Sequence, residues 1–268
     1  MHLRLISLLL AVPALGTLAV APAKAQDATA AQPASDHEQV IGLAAQLESR
    51  YPGGGGSRFA PMPVFSLQDG VLFADQEHGA GLQFQLGPVW SLSQSVGYDF
   101  GRVDHDSRWR SGSTRLAGMG QVPEAFTSHT LLEAQFTPWL SVSAEIERTL
   151  RQSAPRTQFH LGTELGLFQN AHDGIALDLD TWWGDARYNQ AWFGVTPTQA
   201  ARSGFAPFQA DAGLYAASLG LGWEHKFDAH WTSTTQLTST RYGSQVQGSP
   251  LLLRRTEPGA VWAITYGF

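Results

Sequence analysis

Cysteine is absent from all 268 residues. Disulfides, zinc–thiolate sites, thiol nucleophiles and redox pairs are therefore excluded. Long apolar runs are equally scarce. Beyond residue 25 no stretch of 18 or more apolar residues occurs, so the sequence offers no transmembrane helix. Extended amphipathic helices, of which a soluble enzyme of this length would carry several, are missing apart from one short candidate. Positive charge runs low. Of the 17 Lys and Arg, Arg4 and Lys24 precede residue 26, which leaves 15 against 23 acids and a formal charge of about −8. That balance argues against nucleic acid as a partner, because phosphate binding needs a basic face.

What is present begins with an export signal. Arg4 supplies a positive start, Leu5 to Leu10 with Ala11, Val12, Ala14 and Leu15 an apolar stretch, and Ala23-Lys24-Ala25 a cleavage signature. Pro13, Gly16 and Pro22 interrupt the apolar run, so residues 1–25 are expected to be a cleaved signal peptide, with Gln26 the mature start. Residues 26–34 are rich in Ala and Gln and look disordered. Ser35 and Glu38 then form a capping-box pattern, predicting a short helix through Leu47 with Val40, Ile41, Ala44 and Leu47 on one face. Tyr51-Pro52 and the glycines 53–56 end it. Residues 26–56 are thus expected to be a periplasmic N-terminal extension, and residues 57–268 a separate domain.

In that domain the period changes to two. Leu140, Val142, Ala144 and Ile146 oppose Ser141, Ser143, Glu145 and Glu147. Phe159, Leu161, Leu165 and Leu167 oppose Gln158, His160, Gly162, Glu164 and Gly166. Ile175, Leu177, Leu179 and Trp183 oppose Ala176, Asp178 and Asp180. Two ionisable groups on one strand face are costly against lipid and ordinary in a wet lumen. A soluble sandwich is disfavoured, since a packed core would not tolerate those carboxylates.

The expected fold is all-β: a transmembrane antiparallel up-and-down β-barrel of about ten strands, each near the length that crosses a bilayer. The strands run near 61–67, 70–86, 88–100, 124–137, 139–150, 156–169, 173–184, 211–227, 229–242 and 257–268. Short turns alternate with long connections at 101–123, 184–210 and 243–256, which places the turns in the periplasm and the loops outside. Aromatics gather at strand ends as interfacial girdles: Trp90 with Phe100, Phe136 with Trp139, Trp182 with Trp183, Trp223 with Phe227, and Trp231 with Tyr242. The last strand puts Trp262, Ile264, Tyr266 and Phe268 on one face, the pattern of a terminal strand read by the barrel assembly machinery. The expected location is the outer membrane of a Gram-negative-type cell, with its lipid as a partner.

Four segments resemble the MipA/OmpV family of outer-membrane proteins: Tyr51-Pro52-Gly53 with Phe59 and Pro61-Met62-Pro63-Val64-Phe65; Gly97-Tyr98-Asp99-Phe100-Gly101-Arg102; Leu116-Ala117-Gly118-Met119-Gly120-Gln121-Val122; and the stretch from Tyr188 through Thr196-Pro197 to Ser203-Gly204-Phe205. Gln121 stands where the family has Asp, and residues 243–257 lack the family's acidic cluster. The resemblance implies a non-enzymatic scaffold that joins a lytic murein transglycosylase to a bifunctional penicillin-binding protein at the peptidoglycan, with residues 26–56 and the short turns as contact surface. Independently, Thr196 as N-cap, Pro197 as first helical residue and Gly204 as terminator predict a short helix in the outer loop.

No catalytic residue, cofactor or metal set is expected. Asp104-His105-Asp106 is the one dense Asp/His run, and Arg102, Arg108 and Arg110 around it mark a solvated loop cluster. Ser128-His129-Thr130 is too weak a pattern for a lipid-A deacylase. The inward tally of Asp99, Glu133, Glu145, Glu147, Glu164, Asp178, Asp180 and Glu224 against Lys226 leans acidic. Glu145, Glu147, His160, Glu164, Asp178 and Asp180 are the candidate lumen polar groups, expected to fill a narrow interior by hydrogen bonding. If water-filled, the same lumen would make a small cation-preferring channel for solutes or antibiotics.

Overall fold

The computed structural model describes residues 37–151 and 154–268. The signal peptide, its cleavage site and the Ser35 end of the expected capping box lie outside them. The elements in chain order begin with β1 (His37–Ser49), β2 (Ser57–Asp69), β3 (Leu72–Asp75), β4 (Gly79–Gln85), β5 (Trp90–Asp99), β6 (Arg102–Val103) and β7 (Ser111–Gly112). There follow β8 (Ala125–Thr137), β9 (Leu140–Thr149), β10 (Thr157–Gln169), β11 (Asp173–Gly184), helices α1 (Ala186–Phe193) and α2 (Pro197–Ser203), β12 (Gly213–Lys226), β13 (Trp231–Tyr242) and β14 (Thr256–Gly267). Twelve strands close an antiparallel barrel in sequence order, β14 returning to pair with β1, while β6 and β7 form a small parallel ribbon in an outer loop.

The barrel therefore has twelve strands, not about ten, and both additions have a physical cause. The first is β1, where a helix and a separate extension were expected. Residues 40–47 are almost uniformly apolar, so helical and alternating spacings fit equally well. Pairing decides. β1 is held by β14 along Val40 to Leu47 and by β2 along its whole length. In lipid an unpaired strand edge is costly, and β1 satisfies the facing edges of β14 and β2. Gly42 permits the close approach, since a Cβ there would stand 2.3 Å from the Ile264 carbonyl oxygen. Among the described residues the barrel accordingly begins with β1, and residues 50–56 lie at its outer end instead of in the periplasm.

The second addition comes from residues 70–86, expected as one strand. Asp75 Oδ1 accepts hydrogen bonds from the Glu77 and His78 amides at 2.8 and 2.6 Å, and Gly79 takes a left-handed φ of 79°. Asx-turn chemistry of this kind reverses a chain. The run becomes the hairpin β3–β4, much shorter than its neighbours.

The outward face is the apolar one. Leu43, Phe126, Leu167, Leu219, Trp223 and Trp262 are among the exposed side chains, an apolar belt that only lipid would cover. Trp90, Phe136, Trp139, Phe227, Trp231 and Phe268 ring the end bearing the short turns. Two aromatics expected in the girdles turn inward: Trp182 and Tyr242 are 3 % and 0 % exposed. Neighbours on a strand face opposite sides, so only Trp183 of that pair can turn to lipid.

Candidate functional site

The inward face of β8 to β13 carries a connected polar network. On β9, Glu145 sits among three histidines: His129 Nδ1 is 2.7 Å from its Oε1, while His78 Nε2 and His160 Nδ1 each lie 4.0 Å from its carboxylate. His129 Nε2 meets Thr127 Oγ1 at 2.8 Å. His160 Nε2 lies 2.9 Å from Asp180 Oδ1, and its ring stacks on Trp182 at 5.1 Å. Ser218 donates to Asp180 Oδ2 and Gln236 Nε2 donates to Asp178 Oδ2 at 2.8 Å. Above these, Gln158 donates to Glu147 and accepts from Tyr215, and Arg156 pairs with Asp99 at 2.9 Å.

Small inward residues make this packing fit. A Cβ on Gly162 would approach Ser143 Oγ to 2.6 Å and Asp180 Oδ1 to 3.2 Å. Inward glycines thus leave the volume that the histidines and carboxylates of neighbouring strands fill. Buried polar groups require such mutual satisfaction.

The outer mouth is closed by its own loops. Asp185 caps α1, accepting from the Tyr188 amide at 2.6 Å and fastening β10 through the Thr157 amide at 3.0 Å. Tyr188, Trp192 and Phe193 of α1 pack with Trp182, Tyr215, Tyr242 and Val246 into an aromatic core. Arg102, 1 % exposed, donates to the Trp192 carbonyl at 2.5 Å and reaches the Ala191 carbonyl at 3.4 Å, so a cation sits at the helix C-terminus. Its burial pushes the guanidinium down to about 10. The expected helix near Thr196 is α2, with a full capping box and Gly204 at φ 77°. It lies on top, where Gln199 donates to the Met119 carbonyl at 2.9 Å, and none of its own residues is buried. The plug is α1.

All six candidate lumen groups, Glu145, Glu147, His160, Glu164, Asp178 and Asp180, stand on the inward face. His160 pairs with Asp180 across the β10–β11 interface, and Glu164 lies opposite Asp178. Trp262, Ile264, Tyr266 and Phe268 alternate on the outward face of the final strand, as expected. The loop acids have structural partners: Asp104 accepts from the Gly120 amide, and Asp106 accepts from the Thr114 amide while pairing with Arg50. Among the described residues no cluster of three or more His, Asp or Glu could hold a metal ion. His78, His129 and Arg156 were missed from the sequence. His129 carried a signal, since it alternates with Thr127 and Leu131 opposite outward Phe126 and Leu132.

This is a closed antiparallel barrel of outer-membrane type, with an apolar belt, a buried polar network inside and a loop helix packed at its outer mouth; the architecture fits an outer-membrane location. It belongs to the family of the MltA-interacting protein MipA, whose model matches residues 41–268. No curated protein matches the chain. Solved structures with a similar fold include a bacterial polysaccharide outer membrane secretin (8 % identity, 87 % of this chain and 99 % of that one, TM-score 0.49). Others are an outer membrane channel from Pseudomonas putida F1 (9 %, 91 % and 100 %, 0.44) and the NanC porin (9 %, 85 % and 98 %, 0.41). At these TM-scores nothing that those proteins conduct or export carries over.

Proposed function

We propose that this barrel is a non-enzymatic, non-conducting scaffold that holds a lytic murein transglycosylase beside a peptidoglycan synthase. The family description, which names an MltA-interacting protein, supports the partner class. The filled lumen carries the rest. Glu145, His129, His160, Asp178, Asp180 and Gln236 are each less than a tenth exposed, and they bond in pairs, Glu145 with His129, His160 with Asp180 and Gln236 with Asp178. With the interior packed and the mouth plugged, the surfaces remain as the working parts. The periplasmic contact falls on the short turns, chiefly 86–89, 170–172 and 227–230, at the end where β1 begins and β14 finishes. Residues 50–56 drop out of it because they lie on the opposite side.

The test is co-purification. The folded, heat-modifiable protein should retain the transglycosylase and the synthase, and simultaneous replacement of those three turns should abolish retention. Unchanged retention, or recovery of neither enzyme, would sink the scaffold. The acidic lumen would select cations if it were open, so planar bilayers distinguish the channel: silence is expected, and a steady cation-selective current would overturn the occlusion.

A further inference from the structure

The barrel wall is incomplete on one side. β3 pairs with β2 only from Ser66 to Asp69, and β4 pairs with β5 only from Ser91 to Val96. Above the hairpin tip, residues 57–65 of β2 and 97–99 of β5 have no strand between them. The chain is built for this edge. The Phe268 amide donates to the Gln39 carbonyl at 3.1 Å, so odd residues of β1 bond to β14 and even ones to β2. Odd residues of β2 therefore point away from β1, as the Phe65 amide does when it donates to Gln76 Oε1 at 2.9 Å. Pro61 and Pro63 fall on that same side, where they remove two amide donors. Proline in a strand belongs on such an unpaired edge, and it discourages another strand from adding there.

The opening has two chemistries. On its membrane side Phe59, Tyr98 and Phe100 are 68 %, 42 % and 47 % exposed. On its inner side Met62 and Val64 join Ala44 and Ala263 in an apolar cluster. At the base is Glu77, in the hairpin tip. Its side chain is 10 % exposed, and both carboxylate oxygens are buried without a hydrogen bond among the described residues. His78 Nδ1 stands 3.3 Å from one of them and 3.3 Å from Asp75 Oδ2, so a single imidazole is shared by two carboxylates. Two buried carboxylates sharing one imidazole, with no hydrogen bond to Glu77, leave room for a second cation there. The plug and the Arg58-to-Arg110 hydrogen bond at 2.8 Å cover the approach from above. A ligand for Glu77 thus arrives through the wall, and must carry an apolar body.

We propose that this side opening is a binding site for a cationic amphiphile, its ammonium head on Glu77 and its chain passing between β2 and β5 into the outer half of the membrane. The site is independent of the scaffold role and conducts nothing. The test uses the full barrel in phosphatidylcholine nanodiscs, titrated calorimetrically with dodecylammonium, dodecyl sulfate and ethylammonium. Saturable binding of dodecylammonium above empty discs is expected, with neither of the other two binding. Glu77→Gln should weaken it at least tenfold, and Met62→Trp, which fills the inner face, by a similar factor. A heat-modifiable folded band verifies each variant; if one fails to fold, the other variant and the three-ligand series on the unaltered protein decide. Equal affinity of wild type and both variants, equal binding of ethylammonium, or no signal beyond empty discs would each overturn the proposal.

Discussion

From β8 to β12 the inward face carries Glu145, His129, His160, Asp178 and Asp180, all buried and hydrogen-bonded to side chains, on strands paired along nearly their full length. From β14 through β1 to β2 its middle carries Ala263, Ala44 and Val64, with the Glu48–Arg58 pair and Glu257 nearer the outer end, and the wall beyond β2 stands half built. The first half is held by directional bonds in a low-dielectric interior, where each partner is costly to lose. The middle of the second is held by apolar contacts that tolerate change of shape, and its free edge is protected by proline instead of by pairing.

That contrast is most sharply tested at Glu145. Glu145→Leu strips His129 of its acceptor and should cost about 3 kcal/mol by urea unfolding in lipid vesicles, as breaking a buried pair does. Met62→Leu on the other wall should cost less than about 1 kcal/mol. If the two losses were equal, the division into halves would be wrong. Next is Arg102→Met, which leaves the Ala191 and Trp192 carbonyls without their donor. A local loss of about 2 kcal/mol is expected, read as new cleavage within residues 186–204 by protease added to intact cells. Gly162→Ala forces Ser143 or Asp180 aside and should destabilise by about 1–2 kcal/mol in the same unfolding assay. The smallest effect on stability is expected from Pro61→Ala combined with Pro63→Ala, below about 1 kcal/mol. Its signature is different: the restored donors should yield detergent-resistant dimers on unheated gels. A strictly monomeric double variant would mean that the edge is covered already.

Much of this was legible because strand faces are a local property. Alternation along β9, β10 and β11 placed all six lumen groups inward, and the Thr196–Gly204 pattern located α2 to within a residue. Segments without a clean period misled. In residues 40–47 the apolar content was too uniform to separate strand from helix, and β1 was read as an extension. Within 70–86 the turn at Asp75 was hidden inside a run that looked like one strand. Pro61 and Pro63 were noted as a family feature, and their meaning waited on knowing which neighbour β2 lacks.

The sequence by itself determined that the chain is a lipid-facing, all-β barrel with a polar interior, because a two-residue period and the absence of long apolar runs follow from composition read along the chain. Only the tertiary structure decided that β1 closes the ring, that His129 is bonded to Glu145 on β9, that Arg102 holds α1 in the mouth, and that the wall stops short beside β2. Each of these is a pairing between residues far apart in the chain. Register and strand length set such pairings, and local pattern carries neither.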